Sequence, residues 1–243
     1  MADSSLPTII VPARLASSRF PRKLLADAGG MPLILRTANR LLEQAPEYEV
    51  IFAVDGEELA APLVQAGFNY VITDPDLPSG TDRIASANQT LQKEEVLNIQ
   101  ADEPMVTREH IFALTKAVQR KGADLATLAT PFSSTEDFHD PNQVKVVIDR
   151  NGFALMFSRS PIPYDRESAG EFNALSHKHL GLYAYRKEFL DDFFNLPAGK
   201  LESLEKLEQL RALENGKSIA VEIVGQGTVG VDTEDDLNSI LFI

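Results

Sequence analysis

Over residues 8–120 the chain alternates short apolar or β-branched runs with amphipathic segments, and this alternation restricts it to a layered α/β fold. Strands separated by helices pair in parallel through crossover connections, with helices covering the sheet. Strands are expected over 8–11 (stopping at Pro12), 49–54, 70–73 and 96–100. Helices are expected over 32–44, 57–66 (ended by Gly67), 81–91 and 107–120 (capped by Thr107, with Glu109 in the first turn, and ended by Gly122). The expected fold class is α/β, a mostly parallel layered sandwich forming one domain over 1–243. Ligands of such sheets bind at the carboxyl ends of the strands. The segments 13–23, Asp55, 74–83 and 101–104 all fall there and are expected to share one rim.

The second half changes character. Residues 144–149 and 153–159 flank an Asn-Gly turn and read as a hairpin. Pro161, Pro163 and the polar stretch 165–176 read as a loop, and 179–185 and 218–223 as strands. Leu204, Leu207, Leu210 and Leu213 recur every third residue, so on one helix their stripe drifts around the axis. Such a helix needs cover on more than one side, from a second copy or a deep core. A closing helix is expected over 233–241, with Thr233 as cap. The segment 144–217 reads as a smaller, hairpin-containing inserted subregion.

The formal net charge is −13. A surface that acidic repels nucleic acid and anionic membranes, so neither is an expected partner. A small anionic substrate would need a local basic pocket, a divalent metal, or both. The chain has no cysteine, hence no thiolate nucleophile and no disulfide framework. Residues 1–7 lack the basic and apolar pattern of a signal peptide, no run is long enough to span a bilayer, and a cytoplasmic location is expected.

The few basic residues cluster where chemistry is expected. Pro12-Ala13-Arg14-Leu15-Ala16-Ser17-Ser18-Arg19-Phe20-Pro21-Arg22-Lys23 follows a strand directly and gathers four cations among small residues. Small residues let backbone amides approach phosphate, and the cations match its charge. Neither the P-loop spacing nor G-x-G-x-x-G is present. Asp102, just past a buried strand, is costly unless paired or ligating, and carboxylates with water suit Mg²⁺; a turn cap is the other reading. In Ser79-Gly80-Thr81-Asp82-Arg83, ligand contact and helix capping are both open. Asp232 precedes Thr233, whose following acids resemble a capping box, and it is a possible second acid opposite Asp102. Arg159, His179 and Gln209 are possible readers of a carboxylated, polyhydroxylated molecule.

These segments, in this order, resemble the 3-deoxy-manno-octulosonate cytidylyltransferases, or CMP-Kdo synthetases. The likeness runs from Ile9 to about Leu237 through seven ordered motifs. P-A-R-x-x-S-[ST]-R-x-P-x-K fits 12–23, S-G-T-[DE]-R fits 79–83 and Q-G-D-[EQ]-P matches 100–104. F-S-R, K-H-L-G-x-Y, L-E-Q-L-R and V-D-T-x-x-D-L fit 157–159, 178–183, 207–211 and 231–237. The resemblance implies a nucleotide-diphospho-sugar transferase-like fold, a homodimer, and a Mg²⁺-dependent transfer of CMP from CTP to the anomeric hydroxyl of an acid sugar for lipopolysaccharide. It implies that Ala13, Arg14, Ala16, Ser17, Arg19 and Lys23 hold the triphosphate, and that Ser79, Arg83 and Gln100 contact the nucleotide. Asp102 and Asp232 would bind Mg²⁺ and, with Lys23, carry the catalysis. Arg159, His179, Tyr183 and Gln209 would hold the sugar. Two positions depart from the pattern: Arg22 and Ala101 stand where the family usually has Gly. If the first of those glycines serves a positive φ, Arg22 strains the loop. The rival readings are the same reaction on an 8-amino octulosonate or another acid sugar, an enzyme using another base, and a catalytically silent nucleotide-binding relative.

Overall fold

The computed structural model describes residues 6–17, 19–168 and 170–241. Ser18 of the basic motif, Ala169 of the polar loop and residues 1–5 of the N-terminal stretch lie outside it. Two compact units are present, one formed by 1–111 with 228–243 and the other by 112–227. The 144–217 subregion lies within the second.

In the first unit, β1 (Thr8–Ala13), α1 (Leu33–Gln44), β2 (Val50–Val54), α2 (Glu57–Gln65), β3 (Asn69–Ile72), α3 (Gly80–Leu91) and β4 (Glu95–Asn98) alternate as expected. The strands lie in the order β3-β2-β1-β4, and every one of these pairings is parallel. β1 and β2 are buried along their whole length, with α2 and α3 packed on them. β1 does not stop at Pro12 but continues to Ala13. Ile9 N donates to Glu49 O, so by alternation position 12 faces the β4 side. The ladder to β4 ends at Ile10, so the N–H that proline lacks leaves no strand unpaired. α4 (Arg108–Val118) follows.

The second unit contains β5 (Leu125–Pro131), α5 (Thr135–His139), β6 (Lys145–Ile148), β7 (Ala154–Ser158), β8 (His177–Arg186), α6 (Lys187–Phe193), α7 (Lys200–Glu205), α8 (Gln209–Glu214) and β9 (Ile219–Ile223). The hairpin expected over 144–159 is β6–β7, antiparallel. β5 pairs antiparallel with β8 and parallel with β9. The chain then returns to the first unit in α9 (Glu234–Ile240), where Thr233 is the N-cap and forms a capping box with Asp236.

The single helix expected to carry the leucine stripe is corrected to two short ones. α7 ends at Lys206, which is left-handed at φ 54°. The Glu214 carboxylate at the end of α8 accepts from Lys200 N and Leu201 N, both at 3.0 Å, and so caps α7. The stripe divides accordingly: Leu207 and Leu210 are buried, whereas Leu204 is 80% exposed.

Candidate functional site

The rim of the first unit is built from strand ends. Where β1 ends, the chain turns into the basic loop, and Asp55 beyond β2 accepts Leu15 N at 2.7 Å, which fixes the loop's first turn. All nine residues expected to contact nucleotide (Ala13, Arg14, Ala16, Ser17, Arg19, Lys23, Ser79, Arg83 and Gln100), together with Asp102 and Asp232, line one cavity of about 390 Å³. Ser79 caps α3, its Oγ accepting from Asp82 N at 3.1 Å and donating to Asp82 Oδ2 at 2.6 Å. The helix start therefore opens onto the cavity, where its amides favour negative charge.

Arg83 is buried. Its Nη1 donates to Thr73 Oγ1 and to Asp74 O, but its Nη2 is buried and without a partner among the described residues. A buried donor left unpaired is costly, and Arg83 lines the cavity, so its guanidinium is suited to an acceptor on a ligand. Gln100 Nε2 donates to Asn98 Oδ1 at 2.8 Å.

Lys23 and the two acids form the centre of the site. The Lys23 ammonium contacts Asp102 Oδ2 at 2.5 Å, Asp232 Oδ1 at 3.2 Å and Val231 O at 2.8 Å. Arg19 Nη2 donates to the same Asp232 Oδ1 at 2.8 Å. Asp102 O accepts Val231 N at 2.9 Å, so the loop after β4 and the segment before α9 are joined by backbone. Two carboxylates from distant parts of the sequence thus converge on one cation. Mg²⁺ binds through one or two carboxylates and completes its shell with water and phosphate oxygens, and this donor set fits it.

Glu103 was not anticipated. It sits beside Asp102, its Oε2 buried and without a hydrogen-bond partner among the described residues. Burial chiefly, then the charges of Asp102 and Asp232, push its carboxyl up to about 7, against a Thr228 hydrogen bond and Lys23. Its place within the 100–104 motif was the signal available.

The two departures from the family pattern differ physically. Ala101 is buried without a positive φ, and its carbonyl accepts Thr37 Oγ1 at 2.8 Å, so the extra methyl strains nothing. Arg22 is left-handed at φ 58°, ψ 26°, and its guanidinium is ion-paired with Glu58. That exposed pair contributes little against the cost of a side chain in this conformation. Arg22→Gly is expected to stabilise the protein by about 0.5–1 kcal/mol, read as a higher denaturant midpoint at constant m-value.

In the second unit, the four residues expected to hold the sugar lie on β8, at the end of β7 and on α8. β8 is irregular against β5 where Thr127 pairs with Tyr183 and Leu128 with Leu180. The Thr127 hydroxyl lies in this bulge, 3.0 Å from Leu180 O, 2.7 Å from Leu182 O and 3.0 Å from His179 Nε2. A hydroxyl has one proton to give, and with carbonyls to take it, His179 Nε2 carries a hydrogen and donates. His179 Nδ1 is then left as an acceptor. His179 packs edge-on to Phe157, with ring centroids 5.0 Å apart, and lies 5.5 Å from Tyr183. Both His179 and Tyr183 keep partial exposure while the surrounding protein desolvates them. Gln209 is buried with Nε2 unpartnered among the described residues. Arg159 is held by Glu205 and Pro141 and keeps one guanidinium nitrogen free among the described residues.

Burial lowers His179 from 6.5 to about 3, so it is neutral at ordinary pH. The neutral ring must be protonated on unfolding but not when folded, so its contribution is complete above pH 6.5 and declines as pH falls toward 3. Wild type is expected to lose stability faster than His179→Gln between pH 6.5 and 5, by at most about 1.4 kcal/mol per pH unit. Denaturant titrations of both proteins at half-unit steps would check it.

A family model described as cytidylyltransferase matches residues 8–219. A 3-deoxy-manno-octulosonate cytidylyltransferase of Syntrophobacter fumaroxidans is 45% identical over 236 residues, covering 96% of this chain and 94% of that protein. One from Chloroherpeton thalassium is 43% identical, covering 96% and 95%. Among solved structures, a CMP:2-keto-3-deoxy-manno-octonic acid synthetase complexed with CTP superposes with a TM-score of 0.90 at 35% identity, covering 98% of this chain and 97% of that one. A putative glucose-1-phosphate thymidylyltransferase from Bacillus anthracis, at 15% identity and a TM-score of 0.65 over 97% and 94% of the chains, shares the fold.

Proposed function

We propose a reaction from one premise: the chain belongs to the cytidylyltransferase family. It is a nucleotidyltransferase that transfers CMP from CTP to 3-deoxy-manno-octulosonate. The anomeric hydroxyl attacks the α-phosphorus, the new P–O bond forms, and pyrophosphate leaves in line. No enzyme nucleophile is required, so the barrier is lowered by positioning and by charge.

The observation that carries this reading is the Lys23 ammonium held by Asp102 and Asp232 in the cavity that all nine expected nucleotide residues line. In the proposed roles, Arg14, Arg19 and the amides of 13–17 take the triphosphate, and the unpaired Arg83 Nη2 and Gln100 take the nucleotide. Lys23 neutralises charge on the reacting phosphate. Asp102 and Asp232 would hold Mg²⁺, which when bound screens the phosphates and acidifies the attacking hydroxyl. Arg159 would take the sugar carboxylate, and the His179 Nδ1 acceptor, Tyr183 and Gln209 its hydroxyls.

Pyrophosphate release is the test, with CTP and Mg²⁺, with and without 3-deoxy-manno-octulosonate or its 8-amino analogue. Release that requires CTP and the first sugar is the expected result. Release only with the analogue would reassign the sugar, and none with either while CTP binds would indicate a silent relative.

The wider setting is also a proposal: a cytoplasmic homodimer supplying activated sugar for lipopolysaccharide. No helix among the described residues is long and apolar enough to cross a membrane. Leu155 and Leu204, 62% and 80% exposed, are apolar surface that a second copy would cover.

A further inference from the structure

Arg159 is immobilised beyond what packing requires. Its N donates to Glu205 Oε2 at 2.9 Å, its Nε to Glu205 O at 2.7 Å and its Nη1 to Pro141 O at 2.9 Å. Its carbonyl accepts from Lys145 Nζ, also at 2.9 Å. The other Glu205 oxygen accepts Ser158 Oγ at 2.6 Å, so one carboxylate grips two consecutive residues at the end of β7. Lys145, opposite Ser158 in the hairpin, has no exposed surface and gives its second hydrogen bond to Asp140 O at 2.8 Å. Of the guanidinium nitrogens, only Nη2 lacks a hydrogen bond among the described residues.

A buried ammonium bound to carbonyls and a carboxylate bound to one backbone amide and one hydroxyl are expensive ways to hold a strand end. Ordinary ladder bonds would do it without desolvating charge. What they accomplish is directional: the guanidinium fork is fixed at two of its three nitrogens and the third is left available. The Glu205 carboxylate goes to Arg159 N and Ser158 Oγ, while the guanidinium and the Lys145 ammonium bond backbone carbonyls, so two cations are held at this strand end of a chain whose net charge is −13. Glu205 lies in the last turn of α7, and Gln209 opens α8 just beyond the left-handed Lys206. The same clasp therefore sets Arg159 and Gln209 relative to each other.

We propose that Glu205, together with Lys145 on the Arg159 carbonyl, is a positioning residue that aims Arg159 Nη2 at the carboxylate of the sugar and fixes its spacing from Gln209. This rests on the reading that Arg159 binds the sugar. Preorganised donors retain binding energy that a freely rotating arginine would lose to ordering.

The test is steady-state kinetics with CTP and 3-deoxy-manno-octulosonate on Glu205→Gln, Lys145→Met, Arg159→Ala and the Glu205→Gln/Arg159→Ala double variant. Gln keeps the size of Glu205, and Met keeps the bulk of Lys145 without its charge, so both are suited to folding; thermal unfolding checks that they do. Each of the two is expected to raise the sugar KM about tenfold while the KM for CTP stays within about twofold. In the Arg159→Ala background, Glu205→Gln should add less than about twofold, because the group it positions is gone. A rise in both KM values together, or an undiminished effect in that background, would mean a general structural role and overturn the proposal. An unchanged sugar KM in Glu205→Gln, with Arg159→Ala raising it, would overturn the positioning alone. Arg159→Ala without effect would overturn the sugar-binding reading and this proposal with it.

Discussion

Asp102→Asn is expected to cut kcat by about 10²–10³-fold while the KM for CTP stays within about twofold. The exchange is nearly isosteric and removes one negative charge from the pair that meets on Lys23. The fold should tolerate it, because the loop after β4 is joined to the segment before α9 through Asp102 O and Val231 N, which the variant keeps. Lys23 retains Asp232 and Val231 O as partners. In the proposed roles, what is lost is charge acting on the reacting phosphates, which would affect turnover more than affinity. Pyrophosphate release at saturating CTP, beside a thermal unfolding curve, reads both. Asp232→Asn should act in the same direction, and the double variant should fall far short of the product, since the two acids are proposed to serve one function. An Asp102→Asn protein with wild-type kcat would remove this residue from the mechanism.

The convergence behind that prediction is legible in the sequence. Parallel strands put their carboxyl ends on one rim, so motifs at 12–23, 79–83 and 100–102 had to meet once the alternation of strand and helix was recognised. The order of β5 was less legible. Its sequence, Leu-Ala-Thr-Leu-Ala-Thr-Pro, mixes alanine with threonine and has no period of two, and it is a strand because β8 and β9 enclose it on both edges. The break between α7 and α8 is tertiary in origin as well. Leucine spacing favours continuing the helix, whereas Glu205 gripping β7 and Glu214 capping α7 favour a turn at Lys206. Arg22 lies between these cases: the motif marks the position as one where glycine is usual, and only the backbone reveals the left-handed φ that makes arginine costly there. The raised Glu103 carboxyl depends on burial and on two neighbouring acids, one of them 129 positions away in sequence, at Asp232.

Lys23→Met carries the other large effect, and it is two-sided. Turnover is expected to fall by about 10²–10³-fold, because the cation proposed to neutralise the reacting phosphate is lost. In the absence of nucleotide, however, Mg²⁺ should bind about tenfold more tightly to the variant than to wild type. The Lys23 side chain is only 13% exposed and its ammonium touches both Asp102 and Asp232, so it occupies the charge environment a divalent ion would use. Both carboxylate oxygens lie within 3.2 Å of that one nitrogen. Without the ammonium, two like charges at such close range repel by about 3 kcal/mol at an effective dielectric near 20, and an incoming cation relieves that repulsion. If Asp102 and Asp232 hold the metal as proposed, in wild type it would first have to displace the lysine, and the triphosphate would offer the displaced ammonium a new partner, so nucleotide and metal should bind cooperatively. In Lys23→Met that cooperativity should shrink. Calorimetric titration of Mg²⁺ with and without CTP into both proteins separates these terms. Equal Mg²⁺ affinity in the two nucleotide-free proteins would mean that Asp102 and Asp232 do not hold the metal, whatever happens to kcat.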